Sequence, residues 1–263
     1  MTTPSTPTAG TPGAAGIRVI RSDERHRWDD AWLTSRQSFP ATGNFDLRGN
    51  AHGLLMVSND DVVDPAEGFD THEHVDVEIV TWVVEGALAH RDSRGNAGVL
   101  TPGVVQRMTA GTGITHSERN GSSRADAHRL RVVQMWLATE YAGHEPGYAE
   151  RDVTDRLATG ELFPVVSGLA RHRGTDALDI ANSHVALHAA RPVAGTTLTL
   201  PAARFGHLYV VRGSVELSGG AGVAGGSVLS EGDAARTTDQ GELRLTATTD
   251  AEILFWEMER GFA

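Results

Sequence analysis

Short strand-forming runs separated by turn residues are the feature that most constrains the fold of this chain. From Leu54 onward, apolar and β-branched runs alternate with stretches rich in Gly, Pro, Asn and Asp. Residues 78–84 run into a Glu-Gly pair, residues 87–91 follow, and residues 92–96 have the composition of a hairpin turn. Dense strands with regular Gly and Pro punctuation are typical of antiparallel sandwiches and barrels. The sequence therefore predicts an all-β protein of that class.

Four side chains in two pairs indicate a metal site within this sheet structure. They are His72 with His74 and His116 with Glu118, and each pair is separated by one residue. In a β-strand, residues i and i+2 lie on the same face. Two neighbouring strands that present these pairs inward would bring three imidazoles and one carboxylate together. Such a set suits transition metals and leaves coordination positions open.

The second half of the chain repeats the strand pattern of the first in outline. Residues 83–86 (VVEG) align with residues 210–213 (VVRG) at an offset of 127 residues, and each segment is an apolar strand that leads into a turn. Under this offset Thr199 takes the place of His72, Pro201 takes that of His74, and no histidine follows where His116 would be expected. The second half keeps the scaffold without the ligands, so we expect one metal ion and not two.

Composition and charge exclude several classes of function. The chain has no cysteine, so disulfides and thiolate clusters are excluded, and we expect a cytoplasmic location. All 23 basic residues are arginine, which rules out Schiff-base chemistry on lysine. The formal net charge of −11, without any basic run, disfavours direct nucleic-acid binding. No apolar run approaches the roughly 20 residues of a membrane helix, so we expect no membrane association.

Changes in residue composition and hydrophobic pattern along the chain divide it into four segments. Residues 1–16 contain mainly Thr, Pro, Ala and Gly and lack the features of a secretory signal, so we expect a disordered tail. Residues 17–140 form the candidate metal-binding domain. Residues 141–174 show no clean period of two, and we expect a connector with one short helix. Strand patterns resume in residues 175–263, which form the candidate second domain without metal.

Two longer motifs surround the ligand pairs. Residues 72–78 read HEHVDVE and are followed by Gly86, and residues 113–120 read GITHSERN. These match the two cupin motifs, His-x-His-x-x-x-Glu with a later Gly, and Gly-x-x-His-x-x-x-Asn. More narrowly, residues 71–120 resemble the pirin family, and the resemblance lies in the segments THEHVDVEIVTWVVEGALAHRDSRGN and QRMTAGTGITHSERN. The resemblance is strong over residues 17–140 and extends to the second half only in outline.

The resemblance implies a bicupin, in which two antiparallel jelly-roll barrels pack face to face, with a few short helices and with iron in the first barrel alone. Carried over residue by residue, the ligands are His72, His74, His116 and Glu118. Cupins in general use the glutamate of the first motif, here Glu78, and strand geometry alone permits either glutamate. In the pirin pattern, Glu78 becomes a hydrogen-bond partner that orients an imidazole.

The pirin resemblance also implies a function. Some pirins are quercetin 2,3-dioxygenases that cleave flavonols with O₂; here a flavonol-like substrate would bind the metal after losing a proton to Glu118 or Glu78. Others are redox-responsive, iron-binding regulators of a transcription factor or a metabolic enzyme, which would make a protein the partner. We expect the dioxygenase role, a monomer, and one divalent transition metal. Fe(II) is our first choice, and Mn, Ni, Cu and Zn also accept such ligands.

The chain departs from the pirin pattern at two places. Glu73 stands between the first two histidines, where pirins usually have Pro, and we expect its side chain to point away from the metal. Gln37 replaces the histidine of a His-Thr/Ser-Phe segment near the pocket mouth. Because Gln cannot titrate near neutral pH as His can, we expect a difference in substrate recognition there. His90, in the word HRDS, is expected to have a structural role in its hairpin.

Overall fold

The computed structural model describes residues 15–41, 46–220 and 226–262 and is almost entirely β-structure. Within these residues it has one α-helix, α1 (Thr154–Ala158), and one 3₁₀ turn, Ala170–His172. No helix in these ranges is long or apolar enough to span a bilayer. The strands in chain order are β1 Gly16–Ile20, β2 His26–Asp29, β3 Leu33–Gln37, β4 Leu55–Val63, β5 Gly68–His74, β6 Val77–Glu85, β7 Leu88–Asp92, β8 Ala97–Leu100, β9 Val104–Thr109, β10 Ile114–Asn120, β11 Leu130–Ala138, β12 Gly147–Asp152, β13 Phe163–Ser167, β14 Val185–Ala190, β15 Thr197–Leu200, β16 Ala203–Arg212, β17 Ser214–Ser218, β18 Ser227–Ser230, β19 Ala234–Gln240, β20 Leu243–Ala247 and β21 Glu252–Met258.

Four antiparallel sheets form two barrels, which confirms the predicted all-β bicupin fold. The first barrel combines a seven-stranded sheet, in the order β12-β9-β6-β11-β4-β3-β2, with a four-stranded sheet, β5-β10-β7-β8. The second combines a six-stranded sheet, β1-β19-β16-β21-β14-β13, with a four-stranded sheet, β15-β20-β17-β18. If the large sheets are read from β12 and from β1, corresponding strands follow in the same order, and the two small sheets also share one order. The internal repeat seen in the sequence is therefore a repeat of topology.

The two large sheets pack against each other, and the largest apolar core lies between them. On β6, Val80 and Trp82 belong to this shared core, whereas Ile79 and Val83 lie in separate apolar clusters inside the first barrel. Because both faces of β6 are covered, the strand is buried nearly throughout and most of its residues are apolar. Burying side chains of this size contributes roughly 1.5–3 kcal/mol each. The shared core thus holds the two halves together.

The first strand of each half joins the large sheet of the other half. β1 pairs with β19 of the second barrel, and β12 pairs with β9 of the first. Residues 141–174, predicted as a connector with a short helix, do contain α1, but β12 and β13 flank it and extend the two large sheets. β12 is an edge strand, and both of its faces are partly exposed. Its sequence therefore shows no regular alternation of apolar and polar residues. The boundaries at residues 140 and 174 stay predictions.

The predicted tail, residues 1–16, lies outside the described residues except for positions 15 and 16, and Gly16 already belongs to β1. The predicted repeat of VVEG and VVRG is confirmed in the turns after β6 and β16. Gly86 has φ +79° and Gly213 has φ +74°, in the left-handed region that favours glycine. In each barrel this glycine allows the chain to leave the large sheet and enter the small one.

The small sheet of the second barrel carries leucines where the first carries ligands. Thr199, which the offset pairs with His72, is exposed and points outward from β15. Its neighbours Leu198 and Leu200 point inward and join the apolar core of the second barrel. The second barrel is therefore filled by hydrocarbon at the level where the first barrel has imidazoles.

Candidate metal centre

Strands β5, β7 and β10 of the small sheet bring the predicted ligands to one face. Antiparallel register places His116 directly opposite His72. Two residues further along β10, Glu118 lies opposite His90 of β7. Since alternate residues share a face, His74 joins His72, and all five side chains point into the first barrel.

The ligand atoms form two groups that share His116. The ligand atoms of His72, His74 and His116 all lie within 4.8 Å of one another, and so do those of His90, His116 and Glu118. The ring centroids of His72 and His116 are 4.5 Å apart, and those of His74 and His116 are 5.0 Å apart. The structure thus brings the four predicted ligands into one cluster, with Glu118 joined to it through His116, and adds His90.

The polar atoms of this cluster have few protein partners. Nε2 of His74, both ring nitrogens of His116 and Oε1 of Glu118 are buried without a hydrogen-bond partner among the described residues. Nδ1 of His72 donates to the carbonyl oxygen of Asp70 at 2.7 Å, which leaves Nε2 of His72 with its lone pair free. A buried polar atom left unpaired costs about 1–3 kcal/mol. Three imidazoles whose ligand atoms lie close together, with the Glu118 carboxylate beside His116, suit a divalent transition metal, so the residues present fit such an ion.

Burial favours the neutral, metal-binding form of two imidazoles of the cluster, those of His74 and His116. Desolvation, with the nearby His72, lowers the pKa of His74 to about 4. Desolvation, with His72, His74 and His90, lowers the pKa of His116 to about 3. Desolvation also raises the pKa of Glu118, against the opposing effect of a hydrogen bond from Nε2 of Gln134 to Oε2 of Glu118, 2.8 Å. His74 and His116 can therefore bind a cation near neutral pH without first releasing protons.

Glu78 does not join this cluster. Its neighbours on the same face of β6 are Val80 and Trp82 of the shared core, and Thr109 donates a hydrogen bond to its Oε2 at 2.9 Å. The expectation that Glu78 orients an imidazole, or binds the metal, assumed that the alternation of β5 continues into β6. Asp76 interrupts it with φ +50°, so Glu78 faces the interface between the barrels.

His90 is the residue that sequence reasoning missed. It was expected to hold its hairpin, but it is 1% exposed, and its ring centroid lies 5.4 Å from that of His116. In the part of the chain that the structure describes, neither ring nitrogen of His90 has a hydrogen-bond partner, although Nε2 lies 3.5 Å from Oδ2 of Asp92. The sequence did contain a signal for the place of His90, because His90 and Asp92 have the same i, i+2 spacing as the ligand pairs.

The fold and the cluster can now be compared with known proteins. The family model described as Pirin matches residues 20–137, and the model described as Quercetinase C-terminal cupin domain matches residues 169–258. A Mycobacterium tuberculosis protein that carries the provisional name quercetin 2,3-dioxygenase is 44% identical over 245 residues, covering 93% of this chain and 96% of its own. The chain belongs to the pirin family.

Relatives of this pirin include proteins with assigned names and a metal-bound structure. The Escherichia coli protein named quercetin 2,3-dioxygenase is 40% identical over 135 residues, 51% of this chain and 57% of its own. The crystal structure of YhhW from Escherichia coli covers 94% of this pirin and 100% of that chain, with a TM-score of 0.82 and 29% identity. A second structure, described as bacterial pirin YhhW in complex with nickel(II), has a TM-score of 0.81 at 29% identity over 93% and 100% of the two chains. The present pirin is thus similar to a protein that holds a divalent metal.

The two departures from the family pattern fall in different surroundings. Glu73 is exposed and points away from the cluster, as expected. Gln37 is 1% exposed and pairs in register with Asn59 on β4, and Phe39 is 0% exposed in the shared core. Gln37 shares a face of β3 with Leu33, which packs inside the first barrel, so the expected effect of Gln37 on substrate recognition stays a prediction.

An aromatic cleft opens beside the cluster in this pirin. It has a volume of about 460 Å³, and its lining includes Trp32, Phe69, Arg119 and the metal-site residue His72. The rings of Trp32 and Phe69 meet edge to face at 5.2 Å, and Phe69 lies 6.4 Å from His72. Since Trp32 precedes β3 and Phe69 lies on β5, the cleft follows the seam between the two sheets of the first barrel. The seam connects solvent with the edge of the metal site.

Proposed function

We propose that this pirin is a metal-dependent dioxygenase that acts on flavonol-type substrates, with its metal in the first barrel. The proposed ligands are His72, His74, His116 and Glu118, and Fe(II) is the proposed ion. The observation that carries this proposal is the cluster of three imidazoles and one carboxylate, in which buried atoms of His74, His116 and Glu118 have no hydrogen-bond partner among the described residues. The name of the Escherichia coli relative, quercetin 2,3-dioxygenase, supports the choice of substrate.

A divalent metal bound at this site would act as a Lewis acid in the reaction of a deprotonated hydroxy-enone with O₂. The protein residues bind and orient the substrate and accept its proton. Of the two glutamates considered from the sequence, Glu118 faces the cluster and Glu78 faces the other barrel. We therefore assign Glu118 as the acceptor of the substrate hydroxyl proton.

The seam cleft is the proposed entry for the aromatic part of the substrate. Trp32 and Phe69 offer two ring surfaces against which a planar aromatic ring can stack or meet edge to face. His72 ends the cleft and also belongs to the ligand cluster, so a ring held by Trp32 would place its oxygen substituents toward the metal. This arrangement would orient the substrate before the reaction begins.

Aerobic incubation of the iron-loaded protein with quercetin tests the proposal. Loss of flavonol absorbance should be fast with the wild type and absent with His74→Ala. His184→Ala is the matched control, because His184 is half-buried outside the cluster, where it contacts Glu140 and Glu259. Turnover by His74→Ala at the wild-type rate would refute the assigned site, and no turnover by the metal-loaded wild type would refute the flavonol substrate.

We propose a regulatory role as the second candidate, on the observation that the formal net charge of −11 suits a basic protein partner. In that role, iron oxidation would change the charge of the first barrel and the affinity for the partner. A pull-down with Fe(II)-loaded and Fe(III)-loaded protein would recover a partner in one state. Equal recovery from the two states would contradict redox control.

A further inference from the structure

We propose that Gln134 and Trp136, both on β11 of the large sheet, are positioning residues for the metal ligands Glu118 and His74. This inference rests on the metal site of the proposed function and is independent of its substrate. The ligands come from the small sheet, and β11 lies in the sheet on the other side of the barrel. Gln134 and Trp136 share a face of β11, two residues apart, and each contacts a different ligand.

The contacts form a continuous chain from one ligand to the other. Nε2 of Gln134 donates to Oε2 of Glu118 at 2.8 Å. Nε1 of Trp136 donates to Oε1 of Gln134 at 2.9 Å, which fixes the orientation of the Gln134 amide. The ring of Trp136 also meets that of His74 nearly edge to face, with centroids 4.8 Å apart. Glu118 and His74 are therefore held by one pair of side chains.

The hydrogen bond decides which oxygen of Glu118 is free. Gln134 occupies Oε2, and Oε1 is the buried carboxylate oxygen without a partner. A carboxylate with one oxygen fixed in this way offers the other to the metal and resists rotation that would offer both. Partners that orient metal ligands typically affect metal affinity by about 10- to 100-fold when they are removed.

A polar row across the large sheet shows that this arrangement is particular to the first barrel. In register across five neighbouring strands, this row consists of Gln37, Asn59, Gln134, Thr81 and Gln106, and Gln134 is the member that donates a hydrogen bond to Glu118. The row in the same position of the second barrel contains Pro164, His188, Phe255, Leu208 and Ala235. Phe255 thus takes the place of Gln134 in the barrel whose small sheet carries leucines. The scaffold alone does not require an amide there.

Nickel(II) binding by Gln134→Met tests the inference. Methionine keeps the length of the side chain and removes the donor, so we expect nickel(II) affinity to fall about tenfold. Gln106→Met is the matched control, because Gln106 lies in the same row two strands away, beside Tyr148 and not beside a ligand. It should bind nickel(II) within about twofold of the wild type. The copper(II) EPR spectrum should change in Gln134→Met and stay unchanged in Gln106→Met.

Trp136→Phe provides a second variant that keeps the ring beside His74 and removes the indole N–H. Its nickel(II) affinity should fall about threefold, since the Gln134 amide loses its fixed orientation. Trp256→Phe is its control, because the indole N–H of Trp256 points to the sulfur of Met135 in the shared core. Wild-type affinity in both Gln134→Met and Trp136→Phe would overturn the inference while leaving the metal site in place. Failure of the wild type to bind nickel(II) would overturn both.

Discussion

Replacing Glu78 by Gln should make the protein more stable at alkaline pH. Glu78 is 0% exposed between the two barrels, where Oε2 accepts a hydrogen bond from Thr109. Desolvation raises the pKa of Glu78 to about 7, against the opposing effects of Thr109, of Arg107 and of the backbone of Ala181. Glutamine keeps the shape and the acceptor for Thr109 and cannot ionise.

The magnitude follows from the difference between the folded and unfolded pKa. The unfolded value of 4.5 and the folded value of about 7 differ by about 2.5 units, which corresponds to about 3 kcal/mol. Because the folded pKa is raised, the folded state holds the proton between pH 4.5 and 7, where the unfolded chain has lost it. The contribution of Glu78 to stability is therefore present below pH 4.5 and is lost as the pH rises to about 7.

Urea unfolding of the wild type and Glu78→Gln at pH 4.5, 6, 7 and 8 measures this difference. The two proteins should have similar free energies of unfolding at pH 4.5, and the variant should be more stable by about 3 kcal/mol at pH 8. Asp61, whose pKa is also raised to about 7 by burial, is present in both proteins and cancels in the comparison. Nickel(II) binding should be unchanged, since Glu78 faces away from the cluster. A variant less stable than the wild type at pH 8 would refute the reasoning and indicate an ionised Glu78 paired with Arg107.

Three further changes test other parts of the structure. Trp82→Phe removes the 2.6 Å hydrogen bond from the indole N–H to Glu252 between the barrels. The free energy of unfolding measured in urea should fall by about 1–3 kcal/mol, and an unchanged value would contradict a contribution from this bond. Gly111→Ala places a Cβ 2.0 Å from the carbonyl oxygen of His144 at φ +50°, so it should lower the melting temperature, and wild-type melting would contradict the close approach. Trp32→Ala should raise KM for a flavonol about threefold with kcat little changed, whereas a loss confined to kcat would exclude Trp32 from substrate binding.

The part of the site that depends on short spacings could be predicted from the sequence. His72 with His74 and His116 with Glu118 each lie within one strand, so the period of two places each pair correctly. The prediction for Glu78 was wrong because it extended the same period across Asp76, whose positive φ moves the chain into the other sheet. The two-residue period predicts which face of the sheet a side chain occupies within one strand, but it does not predict the face across a break between two strands.

The parts that depend on distant pairing could not be predicted in this way. β1 and β12 each pair with a sheet built mainly from the other half, and nothing in their own sequences shows which strand they will meet. The same applies to Gln134, whose role depends on facing Glu118 across the barrel. A one-residue change of register would turn such a side chain to the opposite face, so its function is visible only once the pairing is known.

The second barrel provides an internal reference for what the fold requires and what the site requires. Both barrels have the same strand order, and both turn at a glycine with positive φ, so these features belong to the fold. The second barrel fills its small sheet with Leu198 and Leu200 and places Phe255 where the first has Gln134. The scaffold therefore accepts apolar side chains at the positions of the ligands and of Gln134, and the unpaired polar atoms of the first barrel lower its stability when no ligand is bound. Polar groups that the scaffold does not need, concentrated around three imidazoles and Glu118, are best explained by a bound ion that offsets their cost.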